Sequence, residues 1–86
     1  MGRKRRAGFS RRVRRALDLR NEWAGDVGRC EAELDTWLAK QDEFERSGGD
    51  ISIALTARLS WARVELADAL KNWRRADRKV QRLMER

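Results

Sequence analysis

Two apolar seams, one on each side of a double glycine, limit what this chain can become. Phe9, Val13, Ala16, Trp23, Val27, Cys30, Leu34, Trp37 and Phe44 keep to a three-and-four alternation interrupted by Arg20 and Gln41. Beyond Gly48-Gly49, the residues Leu55, Leu59, Ala62, Leu66, Ala69, Trp73, Ala76, Val80 and Leu83 repeat it without interruption. This is the a/d spacing of helices that pack along their length. If the chain folds back on itself, core positions whose numbers sum to 96 face one another. Trp37 then meets Leu59, Leu34 meets Ala62, Cys30 meets Leu66, Val27 meets Ala69, Trp23 meets Trp73, Ala16 meets Val80 and Val13 meets Leu83. Large tends to face small, as close packing requires.

The fold class expected is therefore all-α, an antiparallel two-helix coiled-coil hairpin. Residues 1–8 form a flexible basic arm and 9–86 the hairpin, with helices over about 9–46 and 51–85 and a turn at 47–50. Ser10 is a candidate N-cap for the first helix, Gly48 supplies the left-handed residue that ends it, and Asp50 caps the second. Gly25 and Gly28 raise an alternative, a break there with Asp26 capping a third helix. The heptad phase runs through both glycines unchanged, so one continuous helix is the expectation.

A two-helix hairpin has little interior, and 41% of this chain is charged. Chains this short commonly need a disulfide, a metal or a partner to be stable. One cysteine cannot form an internal disulfide, and the absence of histidine leaves zinc without its usual ligands. Association remains. Trp61 and Val64 fall outside the seam and, with Ile53, Ala54 and Ala57, make a second apolar stripe on the back of the second helix. A tryptophan in an exposed apolar strip marks an interface. The expected assembly is a homodimer forming a four-helix bundle, with Ile53, Ala57, Trp61 and Val64 at the interface. Two alternatives stay open: the Trp61 ring folds over the seam edge beside Trp37, or the stripe takes a different protein partner.

No apolar run approaches the ~20 residues of a membrane span, and the basic start lacks the apolar region of a signal peptide. A cytoplasmic protein with no membrane partner is expected.

Charge placement carries the functional expectation. Residues 1–20 hold nine basic side chains against one acid, a balance of +8; residues 21–70 stand at −6 and residues 71–86 at +5, which together make the chain's +7. The hairpin brings both termini to one end, so that end is basic and the tip and middle acidic. Lys71, Arg74, Arg75, Arg78, Lys79 and Arg82 occupy the non-core face of the second helix. Beside them come Arg11, Arg12, Arg14 and Arg15, preceded by Arg3, Lys4, Arg5 and Arg6. Such an end attracts a polyanion and gains affinity by counterion release, with guanidinium forks suited to phosphate. An acidic protein surface is a second possible partner, and a merely solvated face a third, although uniform arginine enrichment does not explain the acidic middle.

Other candidates have plainer readings. Trp23 and Trp73 resemble base-stacking platforms among basic residues, but both sit on the seam and read as core. Phe9, among arginines at the end of the seam, leaves a wedge role open. Cys30 at a d position reads as a small hydrophobe. Arg20 has a stem to cover the seam and a head to reach water; Gln41 helps fix register. The carboxylates Glu31, Asp35, Asp42 and Glu45 have no concavity to raise a pKa, and no glycine-rich phosphate loop is present. Neither an enzyme nor a cofactor is expected. The reading is a nucleic-acid-binding hairpin of little sequence specificity, with neither DNA nor RNA favoured. Its alternative is a protein-binding adaptor or inhibitor, of the kind phages and mobile elements encode, acting through the Trp61 stripe or the acidic flank.

Overall fold

The computed structural model describes residues 10–49 and 52–85. They form two helices, α1 (Arg11–Arg46) and α2 (Ile53–Met84), packed against each other as a hairpin in a rod of 70 × 17 × 16 Å. Phe9 and the arm at 1–8 lie outside the described residues.

Helix α1 starts at Ser10, whose hydroxyl accepts the Val13 N–H at 3.3 Å. Its first turn contains no acid, so Arg11, Arg12 and Arg14 oppose the helix dipole. The helix continues unbroken through Gly25 and Gly28, and the three-helix alternative falls. A Cβ built at either glycine meets nothing within 4 Å, and Gly48 alone among the described glycines has a positive φ. Neither the backbone nor the packing requires a glycine at 25 or 28. Gly25→Ala and Gly28→Ala are therefore each expected to stabilise the fold by about 1 kcal/mol. A thermal melt followed by circular dichroism should rise with each substitution; a fall would mean that the bare backbone there serves a contact with another molecule.

The end of α1 shows why Ser47-Gly48-Gly49 turns the chain. Gly48 adopts φ +78°, its N–H donates to the Glu45 carbonyl at 3.3 Å, and the Gly49 N–H donates to Phe44 at 3.0 Å. These two crossed bonds satisfy carbonyls that the helix end leaves orphaned, and the left-handed residue between them is strained for any side chain but glycine's. Phe44, assigned to the seam by its spacing, is instead 40% exposed and lies against Gly49. The second helix corrects one expectation: its N-cap is Ser52 rather than Asp50. The Ser52 hydroxyl accepts the Leu55 N–H at 3.0 Å, so the helix begins at Ile53, two residues later than the pattern suggested. Asp50 lies outside the described residues.

The core is the two seams. Val13 and Ala16 of α1 and Leu55, Leu59, Ala62, Ala69, Ala76 and Val80 of α2 are its buried residues, and every one of them belongs to the expected a/d set. The larger α1 residues Trp23, Val27, Cys30, Leu34 and Trp37 are only half-buried. Two helices alone leave both edges of their seam open, and small alanines on α2 slip beneath what large residues on α1 cannot fully cover. Two interhelical contacts test the register. Arg20 bonds Asp77, and Arg58 lies over the Trp37 ring, pairs whose numbers sum to one more and one less than 96.

Candidate nucleic-acid interface

At the open end, the first turns of α1 lie beside the last turns of α2. Arg11, Arg12, Arg14 and Arg15 on α1 and Lys71, Arg74, Arg75, Arg78, Lys79 and Arg82 on α2 are all exposed. Among the described residues none of these ten cations has an ion-pair partner. Elsewhere two arginines are matched within their own helix: Arg29 pairs with Asp26 one turn away, and near the tip Arg46 meets Asp42 at 2.5 Å. That hydrogen bond, followed by the attraction of the same carboxylate, raises the pKa of Arg46 above its ordinary value. The open end thus concentrates like charge without internal relief, an arrangement whose self-repulsion an anion removes.

The two flanks of this end differ, which spacing alone does not reveal. On one flank Arg20 donates to Asp77 at 2.8 Å, and the Gln81 amide donates to the second oxygen of the same carboxylate at 3.0 Å. Leu17, Met84 and Glu85 complete the hollow there, and Arg20, the one basic residue among its described lining, is already neutralised. The other flank carries Arg11, Arg12, Arg15 and Lys79 around a hollow floored by Ala16, Leu19, Ala76 and Leu83. A second hollow joins Arg12 to Lys79 and Arg82, making the cationic surface continuous from α1 to the back of α2. On that back face Arg74, Arg78 and Arg82 follow one another at i, i+4 and i+8, about 12 Å end to end. Arg3, Lys4, Arg5 and Arg6 lie outside the described residues.

Spacing places the Arg20 head where it reaches water; the structure adds that this part-exposed head is paired with Asp77. Sequence reasoning passed over Leu19, which lies off the seam and is 43% exposed. A signal was present: Arg11, Arg15 and Leu19 recur every fourth residue, as Lys79 and Leu83 do, and both lines run along the same edge.

The apolar stripe lies further along α2, where Trp61 and Val64 border a hollow shared with Asp26, Cys30 and Glu33 of α1. Ile53 is 88% exposed and Trp61 61%, with Ala57 and Val64 also exposed. Trp61 does not fold over the seam beside Trp37. The place above Trp37 belongs to Arg58, whose guanidinium carbon is 5.5 Å from the ring centroid, a cation–π distance. The Trp37 indole N–H is buried without an acceptor among the described residues.

Among the described residues no group of three or more carboxylate or cysteine side chains is arranged to hold a metal, and no helix is long and apolar enough to cross a membrane. Neither a protein-family model, nor a curated protein, nor a solved structure matches this chain.

Proposed function

We propose that this hairpin binds nucleic acid through its open end, on phosphates, with little sequence preference, and that it acts as a homodimer joined through the Trp61 stripe. The observation that carries the reading is the set of ten exposed cations without internal ion pairs, continuous across both helices at one end of the rod. Phosphate contacts of this kind position a ligand without reading its bases, and the neutral amide side chains that read adenine are scarce here: Asn72 and Gln81 stand among the cations, and Gln81 is held by Asp77. A chemical role in catalysis is not part of the proposal. The test is an anisotropy titration of the whole chain against duplex and single-stranded DNA and RNA at several salt concentrations. Absence of binding to all four at low salt overturns it.

The exposed stripe favours a second reading strongly enough to test, a protein-binding adaptor using Trp61. The two readings separate in one variant. If the stripe joins two copies, Trp61→Ser is expected to convert a dimer to a monomer by light scattering while leaving intrinsic nucleic-acid contacts in place. If the stripe holds another protein, the wild type is already monomeric, and function is lost in Trp61→Ser but survives reversal of the open-end charges.

A further inference from the structure

The charged hollow at the open end has a shape that phosphate binding alone does not use. Its rim is Arg11, Arg12, Arg15 and Lys79; its floor is the buried Ala16 and Ala76 with the side chains of Leu19 and Leu83. Among the described residues no acid and no neutral polar side chain lines it. We propose that this hollow receives one unstacked base of a single-stranded nucleic acid, with the neighbouring phosphates held by the rim. The inference rests on the nucleic-acid reading above and adds to it a preference for single strands.

Size, chemistry and charge select that occupant. The hollow measures about 260 Å³, just below the roughly 300–1,000 Å³ of pockets that enclose a drug-sized ligand, so it suits a single ring system rather than a whole nucleoside polyphosphate. Two alanines on the floor let a flat group approach the helix backbones, and the leucines supply apolar contact to its faces. Cations on opposite sides of an apolar floor match a strand that carries a charge before and after each apolar base. A lipid headgroup fits less well. The cationic surface runs on past the hollow from Arg82 back to Lys71, eleven residues or about 16 Å of helix, which suits a polymer of phosphates rather than one. A duplex meets the rim but leaves the floor empty, because its bases are stacked inside and extruding one costs unstacking and unpairing. Single strands offer their bases freely.

The experiment uses the full chain and three labelled probes of about 12 nucleotides: a single strand, the same strand with abasic sites throughout, and the matching duplex. The first two carry the same phosphates and differ only in bases. The single strand is expected to bind about fivefold more tightly than its abasic counterpart, at the low end for base contacts because none of the described residues lining the hollow is aromatic. Leu19→Gln, at an exposed position, should erase that difference without changing abasic binding or helix content; Leu83→Gln is the second variant. Equal affinity for the normal and abasic strands overturns the base pocket and leaves phosphate binding standing. A duplex that binds more tightly than the single strand does the same. Failure of all three probes to bind overturns the function itself. Leu19-dependent binding to anionic phospholipid vesicles, with base-independent binding to the strands, assigns the hollow to an acyl chain and overturns the proposal.

Discussion

Raising salt from about 50 to about 200 mM is expected to weaken nucleic-acid binding roughly a thousandfold. Ten described cations are exposed and unpaired, but they wrap two helices and a back face, so one strand or duplex cannot touch them all. If about six phosphates of duplex DNA are neutralised, the slope of log affinity against log salt is near −5. Arg74→Glu with Arg78→Glu should weaken every sequence about equally, because contacts to phosphate position the ligand without reading its bases. The same pair should flatten the slope by about 2. Removing Met1 to Arg6 should flatten it further by whatever contacts those residues make. A slope near zero in the wild type would identify binding that does not release counterions, and the open end would lose its assigned role.

The largest expected effect on stability comes from Leu59→Ala. Leu59 is 3% exposed, beside the Arg58 that lies over Trp37, in a two-helix seam where few neighbours exist to collapse into a void. Truncating a buried leucine costs about 2–5 kcal/mol, and a core this thin supplies only about 3–5 kcal/mol beyond the entropy of folding. The variant should therefore be largely unfolded at ordinary temperature, with its circular dichroism lost in a broad transition. Val64→Ala, an equally apolar truncation on the exposed back face, should change the melting temperature of the isolated hairpin by no more than a few degrees. Comparable losses in both would show that the stripe bears the weight of the fold as much as the seam does.

Much of this architecture was legible because a two-helix hairpin is nearly one-dimensional. Once register is set at Gly48, every layer follows, and the buried Leu59, Ala62, Ala69 and Val80 were all named by spacing alone. Periodicity does not see local competition. Asp50 and Ser52 are both good caps, and only the geometry of the chain leaving Gly49 places the Ser52 hydroxyl on the Leu55 N–H. Phe44 has seam spacing, yet at the turn there is no facing helix left to cover it. The candidate site was legible as a set of charges and not as a surface. Arg20 and Asp77 lie fifty-seven residues apart, and their pairing decides which flank stays cationic. The hollow floor combines residues that belong to the core, Ala16 and Ala76, with Leu19, which does not, so no single period could have gathered them.

The position of Trp61 also gives the molecule an optical reporter. Of four tryptophans, Trp23, Trp37 and Trp73 are half-buried along the seam, and Trp61 alone is largely in water. Emission from the folded chain should therefore have two components, a shorter-wavelength one sensitive to unfolding and a longer-wavelength one open to collisional quenchers such as iodide. As protein concentration rises, a second copy seated on the stripe should shift the second component to the blue and shield it, while the first stays still. Fluorescence then separates assembly from folding in one cuvette, without a label.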